Sequence, residues 1–186
     1  MVLALVACGG PVALPSDSGV TPTGDPGDDT VPLLVSSTPC DACDGDCVIE
    51  ELAYAARYHT VEPVAYQDRP PAGGPHDPCW STWGTHAEPV PDDRWVHNLE
   101  HGGVVSLYHC DDCVDEVAAM ASLATSQGLF TLVTPYAEMD DRFAAVAWGW
   151  RLRASCFDEP TFAAFYADHV DQGPESLPGD PSADCM

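Results

Sequence analysis

Val96-His97-Asn98-Leu99-Glu100-His101-Gly102-Gly103-Val104-Val105-Ser106-Leu107-Tyr108 is the stretch whose reading decides the fold. Two histidines stand four residues apart, with a glutamate beside the second. In a strand, residues four apart share a face but lie roughly 13 Å from each other. In a helical turn they stack at about 6 Å between Cβ atoms. The glycine pair fits a helix stop, because glycine takes the left-handed C′ conformation without strain. The β-branched run that follows reads as a strand. The stretch therefore predicts a helical turn presenting two imidazoles on one side, a glycine stop, and then a strand.

Working outward, Cys110-Asp111-Asp112-Cys113 leads into Val114, Val117, Ala118, Ala121 and Ala124 at helical spacing. An aspartate can cap that helix and Gly128 can end it. Phe130 to Thr134 reads as a strand stopped by Pro135. Phe143 to Arg153 alternates loosely and reads as one strand. Asp158-Glu159-Pro160 opens a last helix burying Phe162, Phe165 and Tyr166. Upstream, Val48 to Tyr58 reads as a helix with Val48, Leu52, Ala55 and Ala56 on one side. From Thr60 to Arg94 prolines recur too often for regular elements. Trp80 and Trp83 lie within that segment, so it reads as an ordered loop packed over the core. The order β-α-β-β-α predicts an α+β fold: a small mixed or antiparallel sheet with packed helices and a long Pro-rich loop.

The first residues, Met1-Val2-Leu3-Ala4-Leu5-Val6-Ala7-Cys8, look like a bacterial lipobox. In that kind of signal Cys8 becomes the lipidated first residue. The apolar run is short and has no basic flank, which a start placed too far downstream would explain. Residues 9–39 are rich in Pro, Gly, Ser, Thr and Asp and read as a disordered tether. Residues 40–186 read as one globular domain. Removing Cys8 leaves Cys40, Cys43, Cys47, Cys79, Cys110, Cys113, Cys156 and Cys185, an even set that suggests disulfides and an oxidising compartment. Their pairing is open. The expected location is extracytoplasmic, on the bacterial cell envelope, with the membrane contacted through the N-terminal lipid.

Thirty acidic residues against six arginines and no lysine give a net charge of −24. A polyanion would be repelled, so nucleic acid is excluded as a partner, while cations are favoured. The protein partner is unknown.

Gly74-Pro75-His76, Trp83-Gly84, Glu88-Pro89-Val90-Pro91, the run from Val96 to Gly102, Thr134-Pro135-Tyr136 and Ala147-Trp148-Gly149 together resemble the bacterial family catalogued as domain of unknown function 3105. The resemblance spans roughly residues 60 to 176. It implies an exported or membrane-anchored protein and leaves the biochemistry open. The cysteine clusters at 40–47 and 110–113 lie outside the pattern.

His97 and His101 supply two nitrogen ligands on one turn, as zinc and copper sites use. His76, in a Gly-Pro bend, is the candidate third ligand, and Met139 a candidate thioether that would favour copper. Glu100 points about 100° from His101 on a helix and is read as a partner orienting a ligand rather than as a ligand. His59, His86, His109 and His169 read as scattered surface or packed histidines, with His86 near enough in sequence to approach His76. The function predicted is metal binding, copper or zinc, rather than catalysis. The alternative is a structural or protein-binding envelope module in which the histidines only hold the loop. Two enzyme readings stand behind these: His97-x-x-Glu100-His101 has the order of an inverted zinc-peptidase motif, and each C-x-x-C pair has the spacing of a thiol oxidoreductase. The metal reading requires the imidazoles to converge at about 2.1 Å from one point.

Overall fold

The computed structural model describes residues 29–176 and Cys185. The predicted lipidation site, Cys8, and most of the predicted tether lie outside the described residues. The elements are β1 (Leu33–Pro39), β2 (Cys47–Ala53), β3 (Gly84–Thr85), α1 (Asp92–Glu100), β4 (Val104–Tyr108), α2 (Val114–Gln127), β5 (Thr131–Pro135), β6 (Phe143–Ala147), β7 (Trp150–Ala154) and α3 (Glu159–His169). A 3-10 turn, Cys43–Gly45, joins β1 to β2.

One seven-stranded mixed sheet runs in the order β1-β2-β7-β6-β4-β5-β3. β4 and β5 are parallel, which requires a crossover, and α2 supplies it. β3 is parallel to β5, and every other neighbouring pair is antiparallel. Side chains alternate between two cores. Val104, Val133, Phe143 and Ala145 point into the cluster of Met120, Leu123, Phe162 and Phe165, under α2 and α3. Val105, Leu107, Leu132, Ala144 and Val146 point into the cluster of Trp95, Val96 and Leu99, on α1. The sheet is covered on both faces at β4, which is why this strand is apolar on both sides except at Ser106. Among its residues Ser106 is buried and shares a 2.9 Å hydrogen bond with the Tyr166 hydroxyl.

The α+β class holds, and the sheet is larger than the five-element reading. Leu33–Pro39, assigned to the tether, is an edge strand on β2. Cys47–Ala53, read as the start of a helix, is a strand between β1 and β7. The reason is long-range: buried Glu50 accepts from Arg151 Nε at 2.8 Å and Arg153 Nη2 at 3.2 Å across the ladder, a pairing no local periodicity can show. The single strand predicted over 143–153 is the β6–β7 hairpin, turned at Trp148-Gly149 with Gly149 at φ 75°. The N-cap of α2 is Cys113 with no capping hydrogen bond from its side chain, not the expected aspartate, and the Pro-rich segment contributes β3 and the start of α1, while other local signals match the structure. Gly102 (φ 87°) and Gly128 (φ 115°) follow α1 and α2, and Asp158 caps α3 by accepting from Thr161 N at 3.0 Å.

All eight described cysteines are bridged: Cys40–Cys47, Cys43–Cys156, Cys79–Cys185 and Cys110–Cys113. The bridges differ in what they restrain. Loop-closure entropy assigns about 5 kcal/mol to loops of the size closed by Cys43–Cys156 and Cys79–Cys185, and about 2 kcal/mol to the smallest, Cys110–Cys113.

Candidate metal centre

The centre forms where the C-terminal turn of α1 meets two segments of the Pro-rich region. α1 puts His97 and Glu100 three residues apart on its buried face, with His101 as the residue closing the helix. Gly73 and Gly74 bend the chain against the Tyr54 ring so that His76 enters the same space. A Cβ on Gly73 would stand 2.8 Å from Tyr54 Cδ2. His59 arrives through a two-bond bridge to His76: Thr60 N donates to His76 O at 2.8 Å, and His76 N to Tyr58 O at 3.1 Å.

His59, His76, His97 and Glu100 each offer one ligand atom, and these atoms lie within 4.8 Å of one another. Glu100 Oε2 is 2.9 Å from His76 Nε2, 3.3 Å from His59 Nε2 and 3.9 Å from His97 Nε2. A tetrahedral ion with bonds of about 2.1 Å has ligand atoms about 3.4 Å apart, so this group could hold a metal ion with little rearrangement. His76, His97 and Glu100 are buried, and His59 forms the open side with its side chain 31% exposed.

The tautomers are set by the main chain. His76 Nδ1 donates to Gly74 O at 2.8 Å, His97 Nδ1 to Asp77 O at 2.7 Å, and His101 Nδ1 to Glu175 O at 2.8 Å. A neutral imidazole that donates from Nδ1 keeps a lone pair on Nε2. The three Nε2 atoms all turn inward, and those of His97 and His101 stand 2.9 Å apart. A proton or a metal ion among these nitrogens and the Glu100 carboxylate would supply the positive charge they face.

His97 and Glu100 are both held in their unprotonated forms. Burial and the neighbouring His76 push the His97 pKa down to about 4, with the Asp77 carbonyl only partly opposing, so this imidazole is neutral at pH 7. Burial alone would raise Glu100, but the hydrogen bond and charge of His76, with His59 and His97, hold it at about 2. Its other oxygen, Oε1, accepts from Arg57 Nε at 3.1 Å. The negative end of the α1 dipole adds to the attraction for a cation.

Supporting contacts fix this geometry. Asn98 pairs with the main chain of Ser81 through both side-chain atoms at 2.9 Å, pinning the loop that carries Trp80. Trp80 lies edge-on to His97 and His101, with ring centres 5.1 and 4.8 Å away. Beyond α3 the chain returns over α1: Glu175 N donates to Glu100 O at 2.9 Å, and Asp171 N to Gly102 O at 2.7 Å.

Of the predicted site residues, His76, His97 and His101 come together here. Glu100, expected only to orient a ligand, has an oxygen in the four-residue group, because it lies three residues from His97 on the same helix face. His101 faces His97 with Nε2 2.9 Å from Nε2 but is outside that group. Met139 is elsewhere. Its side chain is in the apolar cluster, and its neighbour Glu138 is tied through Arg69 to Asp92, at the N-terminal end of α1 and opposite the histidines. His86 bonds Thr82 O instead. His59 was missed, since its place depends on pairing with His76; an isolated histidine beside Arg57 carries no local signal.

Residues 58–183 match the family described as "Protein of unknown function (DUF3105)", and the chain belongs to that family. Searches among curated proteins and among solved structures found no match.

Proposed function

We propose that this is an extracytoplasmic, lipid-anchored protein that binds one transition-metal ion, zinc or copper, through His59, His76, His97 and Glu100. The carrying observation is the set of main-chain carbonyls that fix Nδ1–H on the buried imidazoles and leave Nε2 facing a shared carboxylate. Metal-ligating histidines are held in this way, with the second nitrogen bonded to a carbonyl or carboxylate. Three nitrogens and one oxygen suit zinc and also copper(II). His101 stands beside His97 Nε2 and outside the ligand set, and Met139 is left out as well. Both oxygens of Glu100 are engaged, which favours a ligand role over that of a general base.

The four disulfides are consistent with an extracytoplasmic location, and no described helix is long and apolar enough to cross a membrane. Anchoring through Cys8 rests on the lipobox-like sequence, and repulsion of nucleic acid on the net charge.

One observation favours the structural alternative: Trp80 covers His97 and His101, as it would over a purely structural histidine cluster. Element analysis of protein purified from its exporting host separates the two. Near-stoichiometric zinc or copper that His97→Ala removes supports the centre. A metal-free protein that takes up neither ion on titration overturns it.

A further inference from the structure

We propose that Cys110–Cys113 is an exchangeable disulfide that accepts electrons from a dithiol protein, an activity separate from the metal centre. Three observations carry it.

The bridge closes the smallest loop of the four, a separation of 3 residues against 7, 106 and 113. It is also not needed to hold its surroundings. β4 is paired on both sides, with β5 and β6, and α2 is seated through Met120, Leu123 and Ala124, so the elements it joins are fixed without it.

The two sulfurs are unequal. Cys110 is partly exposed, while Cys113 is 2% exposed and caps the fourteen-residue helix α2. An incoming thiolate therefore reaches Cys110, and the leaving group is the sulfur at the positive end of the helix, whose dipole favours a thiolate against the burial and the carboxylates that oppose one. Cys40–Cys47 also joins a partly exposed to a buried cysteine, but it ties two paired strands and neither sulfur lies at an α-helix N-terminus.

The approach is acidic. Asp111 and Asp112 are exposed between the cysteines, and Asp115 and Glu116 follow in the first turn of α2. Arg142 pairs with Asp112 at 2.9 Å. The favoured partner carries positive charge around its thiol.

The partner's thiolate attacks Cys110 Sγ, the Cys110–Cys113 bond breaks, and Cys113 leaves as thiolate. The partner's second thiolate then attacks its own sulfur in the mixed disulfide and releases Cys110. Two electrons pass to this chain. The partner becomes a disulfide, and its two thiol protons end on Cys110 and Cys113.

The test is graded reduction of the folded full-length chain by dithiothreitol, with alkylation and peptide mass spectrometry, while circular dichroism follows the fold. Cys110 and Cys113 are expected to be alkylated at least about tenfold faster than Cys43 and Cys156, with the spectrum unchanged. Cationic cysteamine is expected to open the bridge faster than anionic mercaptoethanesulfonate. A thioredoxin-type dithiol protein with its resolving cysteine changed to serine is expected to be trapped on Cys110. The proposal is overturned if the bridge opens only as the protein unfolds, if the trapped adduct maps to another cysteine, or if the charge of the thiol makes no difference. A metal content unaffected by Cys110→Ser/Cys113→Ser keeps this activity distinct from the metal centre.

Discussion

His97 and His101 hold their Nε2 atoms 2.9 Å apart while each imidazole gives its Nδ1 proton to a main-chain carbonyl, His97 to Asp77 and His101 to Glu175. A proton on one of the two Nε2 atoms makes that gap a hydrogen bond. The carbonyls come from chain segments before and after α1, so the approach of the two nitrogens is built in by three separate parts of the fold.

Ligand and supporting roles separate on substitution. His76→Ala and His97→Ala are expected to leave little bound zinc or copper by element analysis. His101→Ala is expected to keep the stoichiometry but weaken affinity by about 10–100-fold, the usual cost of losing a polar neighbour of the ligands. His59→Ala, on the open side, is expected to bind an ion that chelators remove faster, read by the rate of metal transfer to a chromogenic chelator.

The metal-free protein is expected to lose stability as pH falls. His97 titrates near 6.5 when unfolded and about 4 when folded, so between those values the unfolded chain binds the extra proton. Stability is thus full above pH 6.5 and declines toward pH 4, by on the order of 3 kcal/mol for this group. Glu100, lowered from 4.5 to about 2, adds a second loss below pH 4.5. Denaturation of the metal-free chain between pH 7.5 and 4 checks this, and His97→Gln is expected to flatten the upper part of the decline.

Arg151 is buried and pairs with Glu50 at 2.8 Å and with Asp68 at 2.9 Å. Glu50→Ala takes away the buried partner, and its cost is expected at about 3–5 kcal/mol by chemical denaturation. Replacing Glu50 and Arg151 together by apolar residues of similar volume is expected to cost much less, since no buried charge is then stranded.

Gly102 sits at φ 87°, and a Cβ there would lie 2.8 Å from Asp171 Cα. Gly102→Ala is expected to destabilise the protein by about 1–3 kcal/mol. It is also expected to loosen the returning segment that holds His101, so metal affinity falls as well. A substitution that changes neither melting temperature nor affinity would refute the packing described.

The elements legible in the sequence are those with local punctuation. α1 ends at a glycine that takes a positive φ, β4 follows as a β-branched run, α2 stops at Gly128, and α3 starts at an aspartate whose carboxylate caps it. β1 and β2 were not legible. Leu33–Pro39 is exposed along its whole length, so no apolar alternation marks it. Val48 to Leu52 reads as the start of a helix, and it is a strand because Arg151 and Arg153 arrive from about a hundred residues away to pair with Glu50. The turn at Gly149 splits what reads as one strand into a hairpin.

At the site, the sequence by itself determined that His97, Glu100 and His101 share one helical turn, because the 3.6-residue period and a glycine stop are local properties. It also determined the acidic charge that favours cations. The tertiary structure alone decided the rest. It brought His76 and His59 to that turn through their bridge, moved Glu100 into the donor group, and left Met139 at the other end of α1. Those outcomes depend on contacts between residues distant along the chain, set by how the Pro-rich segment packs over the helix, and no periodicity within a window of sequence encodes them.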